Sequence, residues 1–321
     1  MHGRHLTMNE REMIGHLRAQ GESGAAIARR LGCDPSTVSR EVRRNAEPSG
    51  DYWPSRAQAH ADQRRHASKT PWKLEDTDLG RYVQEHLAEY WSPEQIAGRL
   101  RREHPKEPAR WVSHQGIYHW ITRQTADGGT WHTFLRQSHR KRRKRYGTAE
   151  KRGRIVGRVG IEERPAEVAA KTRRGDWESD TVAGSGSTAC LATHVERVSM
   201  YTVLAKLPDG TAKRFNAGTL RAFARHGDLP FETLTADNGT EFAAFAALER
   251  PLGLAVYFAR PYHAWERGLN ENTNGLLRQF FPKGLDIAAV THPYVQRVEH
   301  LLNTRPRKAL GYRTPEEVLR E

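Results

Sequence analysis

The run Gly175-Asp176-Trp177-Glu178-Ser179-Asp180-Thr181-Val182 marks the place where the chain changes character. Before it, apolar residues recur at helical spacing between polar and basic stretches. From Trp177 onward short β-rich runs take over: residues 177–183, then 188–194 and 198–207, the last two joined by Glu196-Arg197. Their composition predicts three antiparallel strands. Residues 211–225 read as a helix, 231–235 as a strand, 242–248 as a helix and 254–258 as a strand. Closing helices are expected at 268–280, 292–303 and 315–320. Strands first, then alternating helix and strand, predict an α/β layered fold for this half.

An aspartate inside the first of these strands is costly unless it is paired or bound to a metal. Asp180 is that residue. Asp237 poses the same problem at the end of a strand, where Asn238-Gly239 makes a turn within Thr235-Ala236-Asp237-Asn238-Gly239-Thr240-Glu241-Phe242. Glu271 opens a helix in Trp265-Glu266-Arg267-Gly268-Leu269-Asn270-Glu271-Asn272, and 33 residues separate it from Asp237. Leu276, Leu277 and Phe280 give that helix its apolar side, and Arg278, seven residues beyond Glu271, shares its face. Clustered carboxylates repel one another at neutral pH and need cations. Hard oxygen ligands in an open geometry favour Mg²⁺ or Mn²⁺.

The rest of the chain points to DNA. Its 52 Lys and Arg against 38 Asp and Glu leave a net charge of +14 over 321 residues, which calls for a polyanionic partner, nucleic acid before a membrane surface. Residues 8–20 form one helical pattern with Met13, Ile14 and Leu17 on one side, closed by Gly21. Residues 25–31 form a second, closed by Gly32. Asp34 caps a third that starts at Pro35 and runs to about Asn45. Val38 and Val42 face inward, leaving Ser36, Thr37, Ser39, Arg40, Arg43 and Arg44 outside. That is a helix-turn-helix, whose last helix enters the major groove, with hydroxyls and arginines suited to phosphates and guanine edges.

A second, weaker pattern of the same kind follows. Ser92-Pro93-Glu94-Gln95 has capping-box spacing. Residues 113–121 read as a helix capped by Ser113, with Ile117, Trp120 and Ile121 inward and His114, Gln115, Tyr118 and His119 outward. His114 and His119 are spaced wrongly to share a metal on a helix and are read as surface or phosphate-facing. Residues 47–70 read as a polar linker with some helix, and residues 139–158 as a strongly basic, glycine-containing linker that favours extended structure and gains from counterion release on DNA. Cys33 and Cys190 belong to no Cys-x-x-Cys pair, so both are expected to be small apolar residues. The residues after Met1-His2-Gly3-Arg4-His5 include no apolar signal region, and no stretch is long and apolar enough to span a bilayer. A cytoplasmic, nucleoid-associated protein is expected.

Three runs carry a resemblance to a known family: Gly-Asp-Trp-Glu-Ser-Asp at 175–180, Asp-Asn-Gly-Thr-Glu-Phe at 237–242, and Tyr-His-Ala-Trp-Glu-Arg-Gly-Leu-Asn-Glu-Asn-Thr-Asn-Gly-Leu-Leu-Arg-Gln-Phe-Phe at 262–281. The ending Asn303-Thr304-Arg305-Pro306-Arg307-Lys308, with Leu310-Gly311-Tyr312-Arg313-Thr314-Pro315-Glu316-Glu317, fits as well. Together with the amino-terminal helices they resemble, over nearly the whole chain, the insertion-sequence-thirty family of bacterial transposases. The resemblance implies a multidomain chain, all-α helix-turn-helix domains followed by an α/β ribonuclease-H-like core of mixed sheet and flanking helices. Its expected divisions are 1–46 for the helix-turn-helix, 47–71 for a linker, 72–135 for a second helix-turn-helix-like domain, 136–160 for the basic linker and 161–321 for the catalytic domain.

The resemblance also implies a DDE enzyme in which Asp180, Asp237 and Glu271 are the catalytic, metal-binding residues. Two Mg²⁺ ions, with Mn²⁺ able to substitute, would lie ~3.5–4 Å apart. Asp180 would bridge them, with Asp237 and Glu271 each completing one. Water would free a 3′-hydroxyl at the element's end, and that hydroxyl would attack target DNA. Arg278 would hold a phosphate. Asn238, Trp265 and Asn270 would support the site or touch DNA. The expected partners are terminal inverted repeats and target DNA, with more than one protomer joining two ends. Two departures bear on loop contacts: Gly184-Ser185-Gly186-Ser187 lacks a basic residue, and Glu196 replaces a usual Asp. The alternatives are a sequence-specific repressor with an inactive core and a retroviral-type integrase. The intact triad argues against the first, and the helix-turn-helix arrangement without zinc ligands against the second.

Overall fold

The computed structural model describes residues 5–67, 73–75, 77–136, 155, 157–261 and 263–321. The chain divides into two compact units, Met1–Glu75 and Asp76–Glu321.

In the first unit, α1 (Met8–Ala19), α2 (Gly24–Leu31) and α3 (Pro35–Asn45) begin where their caps direct. Thr7 and Glu10 form a capping box, Ser23 caps α2, and the Asp34 carboxylate accepts from Ser36 N at 2.8 Å. Gly32 ends α2 in the left-handed region at φ 61°, a backbone that costs glycine nothing. Ile14, Leu17, Ile27, Ala28 and Val38 pack as one core with Val42 and Tyr52 against it. Met13, expected on the inner face, is exposed.

The helix expected within the polar stretch after α3 is α4 (Pro54–Ala67), longer than a linker needs and packed on α1. Its inner face is built from Ala57 and polar bonds. The buried Arg11 donates to Glu41 at 2.7 Å and to Gln58 at 2.7 Å, and Arg64 donates to Asn45 at 2.8 Å. A helix anchored this way has almost no apolar periodicity to read.

The second unit opens with α5 (Asp78–Ala88), α6 (Pro93–Glu103) and α7 (His114–Ala126). A six-stranded sheet follows, from β1 (Val159–Gly160), β2 (Asp176–Ala183), β3 (Cys190–Glu196), β4 (Thr202–Leu207), β5 (Thr233–Ala236) and β6 (Ala255–Phe258), in the order β1-β6-β5-β2-β3-β4. β2, β3 and β4 pair antiparallel, while β5 pairs parallel with β2 and β6, and β1 parallel with β6. The helices are α8 (Ala166–Ala170), α9 (Ala212–Ala224), α10 (Ala246–Leu252), α11 (Gly268–Leu277), α12 (His292–Asn303) and α13 (Pro315–Arg320). β1 and α8 fall in a stretch given no element from sequence. α10 begins later than expected, after a short 3-10 turn at Thr240–Phe242.

Strand alternation divides the core into two clusters. Trp177, Ala192, Val203 and Leu234 pack with Phe215 and Phe223 of α9 and Leu248 of α10. Val182, Leu191 and Leu204 pack with Leu276 and Leu277 of α11 and with Val298 and Leu302 of α12. Cys190 is buried, and burial pushes its thiol up to about 11. Glu196 ends β3 with a structural job: its carboxylate accepts from Ser199 N at 2.6 Å, Val198 N at 3.0 Å and Gly175 N at 3.2 Å, and so fixes the turn into β4.

Residues 76–135, most of the stretch read from sequence as a domain of its own, belong to the same compact unit as the sheet. The carboxy-terminal segment clamps α6. Gln95 donates to Pro306 O at 2.8 Å, Arg99 donates to both carboxylate oxygens of Glu317 at 2.8 and 2.6 Å, and Lys308 pairs with Glu94 at 2.7 Å. The Tyr312 ring lies so close to Gly98 that a Cβ there would overlap it. Tyr90 stacks its edge on Phe280 at 4.9 Å and meets Phe134 at 5.4 Å. The basic run at 139–145 lies outside the described residues.

Candidate active site

Sheet register brings the two aspartates together. β2 and β5 pair Trp177 with Leu234 and Glu178 with Thr235. Two residues further, Asp180 comes level with Asp237, just past the end of β5. The turn that follows is pinned from both sides. Asp237 Oδ1 accepts from Gly239 N at 2.8 Å, and the buried Asn238 donates to Ala259 O at 2.7 Å and accepts from Arg158. Asn238 thus ties the ends of β5 and β6 and holds Asp237 in place.

Arg267, at the start of α11, closes the pair. Its Nη1 donates to Ser179 O at 3.0 Å and lies 3.5 Å from Asp180 Oδ1, and its Nη2 lies 3.2 Å from Asp237 Oδ2. Asp180 also accepts from Thr181 N at 2.9 Å and from Asn274 Nδ2 at 2.9 Å. Burial pushes the Asp180 carboxyl above its ordinary value, Arg267 opposes that, and the charge of Asp237 adds to it. Glu241 stands nearby, accepting from the Thr181 hydroxyl at 2.8 Å.

Glu271 lies one turn of α11 beyond Arg267 and opens onto a cleft of about 460 Å³, lined also by Arg136, Asn272, Asn274 and Arg278. Asn274 links the two parts, touching Asp180 and lining the Glu271 cleft. Among the described residues no three His, Cys, Asp or Glu side chains gather at one point. Arg267 holds Asp180 and Asp237 together, and Asn274 joins Asp180 to the cleft that Glu271 lines.

The helix that carries Glu271 is anchored by Asn270. Its backbone N donates to Glu178 Oε2 at 3.0 Å, its side-chain oxygen accepts from Thr193 at 3.2 Å, and Glu178 pairs with Arg197 in the interior. Arg278 sits in the Glu271 cleft and donates to Ala183 O at 3.0 Å and Phe281 O at 3.3 Å. Trp265, expected to support the site or touch DNA, is 72% exposed and meets the His263 ring at 4.4 Å. The loop from Gly184 to Ser187 docks on residues 284–287 through Ser185 N to Leu285 O at 3.0 Å and Ser187 to Asp286. Sequence reasoning missed Arg267, Asn274 and Glu241. The available signal for the first two was helical spacing, four before and three after Glu271.

The candidate DNA surfaces lie on two helices. On α3, Ser36, Ser39, Arg40, Arg43 and Arg44 are exposed and Thr37 is half-buried. Arg40 is steadied by Ser36, donating to its hydroxyl at 2.7 Å and its carbonyl at 3.0 Å. Thr37, Arg40, Arg44, Arg64 and Arg65 line one open groove. On α7, His114, Gln115, Tyr118 and His119 are all exposed.

Residues 2–45 match the model of a helix-turn-helix domain, and residues 171–264 that of an integrase core domain. The transposase for insertion sequence element IS4351 of Bacteroides fragilis is 39% identical over 319 residues, 99% of this chain and 96% of that one. The transposase for IS1086 of Cupriavidus metallidurans is 39% identical over 323 residues, 98% of this chain and 94% of that one. Transposase InsI for IS30A of Escherichia coli is 36% identical over 327 residues, 98% of this chain and 83% of that one. Whole-length similarity at this level, with a DNA-binding domain ahead of an integrase core, places the chain in the IS30 family of insertion-sequence transposases, enzymes of the DDE class.

Proposed function

We propose that Asp180, Asp237 and Glu271 are the catalytic carboxylates of this transposase, and that α3 and α7 present the ends of its element to them. The observation that supports this best is the shared cation. Two aspartates from neighbouring strands face one point, and the guanidinium of Arg267 already sits there. Their hard oxygen donors fit a divalent metal ion, the kind of cofactor that integrase-core enzymes use.

We assign two Mg²⁺ ions to the site, with Mn²⁺ able to substitute. Bound there, they would supply Lewis-acid activation of the attacking oxygen and charge stabilisation of the leaving one. Asp180, on β2, would hold both ions, with Asp237 and, from the cleft side, Glu271 each holding one. Arg267 must release the aspartates for this to happen. Arg278 holds a phosphate beside Glu271. In the first step water attacks phosphorus and the P–O3′ bond breaks, freeing a 3′-hydroxyl. In the second that hydroxyl attacks a target phosphodiester, the target's own P–O3′ bond breaks, and the displaced 3′-oxygen takes up a proton in place of the one the attacking hydroxyl gives up. No covalent protein intermediate is required.

The basic face of α3 reads the terminal inverted repeats, and the outer residues of α7 add contacts on the same DNA. Joining two ends calls for more than one protomer. No helix among the described residues is long and apolar enough to cross a membrane, and we place the enzyme with its DNA in the cytoplasm. The repressor and retroviral-type integrase readings have no observation in their favour. Asp180→Ala tests the assignment: Mg²⁺-dependent cleavage of end-containing DNA should vanish while binding persists. Undiminished cleavage would sink it.

A further inference from the structure

The motif Asn303-Thr304-Arg305-Pro306-Arg307-Lys308 has no part in the chemistry above, yet it holds two of the four buried arginines among the described residues. Arg305 is 3% exposed and Arg307 9%. Nε and Nη2 of Arg305 and Nε of Arg307 are buried and have no hydrogen-bond partner among the described residues. What compensation exists is partial. Arg305 lies over the Phe280 ring at 5.8 Å, and Arg307 Nη2 donates to Leu302 O at 2.9 Å, in the last turn of α12.

Among the described residues no carboxylate acts on either group. Burial first, then Arg307 and Arg136, lower Arg305 to about 9, and the Tyr90 phenol is the one influence that raises it. Burial and Arg136 lower Arg307 to about 10. A buried cation without an anion is a large cost, and an apolar side chain of the same volume would remove it. Arg136 shows where an anion would enter. Its guanidinium lies over Gly275, where a Cβ would stand 3.0 Å from Nη2, and it lines the Glu271 cleft. Arg136 thus stands on the cleft wall at Gly275 of α11, and Arg305 is buried against Phe280, three residues past the end of the same helix.

We propose that Arg136, Arg305 and Arg307 form a phosphate site at the back of the Glu271 cleft, which takes a backbone phosphodiester of the strand lying in that cleft. Planar guanidinium donors match phosphate oxygens in pairs. The anion preference stands on the arginines alone; the identity of its source as DNA rests on the function proposed above.

The full chain and its Arg136→Ala, Arg305→Met and Asp180→Ala variants test this. Arg136 is exposed, so its replacement leaves the fold intact and decides the matter even if Arg305→Met fails to fold. Inorganic phosphate at constant ionic strength should raise the thermal midpoint of the unaltered chain. The same response should need at least tenfold more phosphate in Arg136→Ala and be absent in Arg305→Met. Without phosphate, Arg305→Met should melt higher than the unaltered chain. Asp180→Ala should keep the full response, which separates this site from the cleavage assignment. On end DNA, the slope of log affinity against log salt should fall by about one in Arg136→Ala. A phosphate response with an unchanged slope would support the site and identify free phosphate as its ligand. No response in the unaltered chain, or an equal response in Arg136→Ala and Arg305→Met, would overturn the proposal.

Discussion

On α3, Arg40, Arg43 and Arg44 stand exposed, and the hydroxyl and carbonyl of Ser36 are the partners that Arg40 holds. Around β2 and β5 the arrangement is reversed. Asp180 and Asp237 share Arg267, Asp180 takes two further hydrogen bonds, and the turn after Asp237 is pinned by Asn238. Exposed arginines act through a screened, distributed field, so losing one weakens binding by a step. Preorganised carboxylates act at one point, so losing one removes the function. The same contrast separates the helices. α3 belongs to a unit with its own core, whereas α5, α6 and α7 belong to the unit that carries the acids, with α6 clamped by the segment from Pro306 to Glu317.

The largest effect expected is from Glu271→Gln: cleavage should fall by about 10³-fold or more, several kcal/mol of transition-state stabilisation, with end binding unchanged in a gel-shift titration. Retained cleavage would remove Glu271 from the site. Gly98→Ala should come next. Forcing a Cβ against the Tyr312 ring costs about 1–3 kcal/mol, seen as a lower melting midpoint for the second unit only. A shift in the first unit instead would contradict the division of the chain. Arg40→Ala with Arg44→Ala should weaken end binding and lower its salt slope by about one per arginine, leaving the cleavage rate at saturating protein intact. Unchanged affinity and slope would mean that α3 is not the reader.

The smallest effect concerns pH. The hydrogen bonds from Arg99 hold the Glu317 carboxyl at about 2, below its ordinary 4.5. A depressed carboxyl contributes stability that is full above 4.5 and is lost as pH falls toward 2. Glu317→Gln should flatten that part of an acid-unfolding curve, modestly, because the side chain is 40% exposed. An unchanged curve would show that the clamp rests on Tyr312 and Gln95 instead.

Much of this was legible because the signals are local. Asp34, Ser92 and Ser113 each cap the helix their sequence announces. Asp180 stood out as a carboxylate inside a β-run, and the run of turn residues after Asp237 fixed a strand end. What escaped notice depends on contacts distant in sequence. α4 packs through Ala57 and buried polar bonds, which leave no apolar stripe. Arg267 was visible as a residue, but its place between two aspartates follows from β2–β5 register and the path of α11. Trp265, expected to support the site or to touch DNA, stands exposed beside His263, which its place in the sequence does not reveal.

The most direct test measures binding and cleavage on one end-containing DNA for Asp180→Ala and for Arg40→Ala with Arg44→Ala, side by side in Mg²⁺. The account predicts a crossed result: Asp180→Ala binds like the unaltered chain and does not cut, while the double variant binds weakly and, once saturated, cuts at the normal rate. Cutting by Asp180→Ala at the unaltered rate would contradict it.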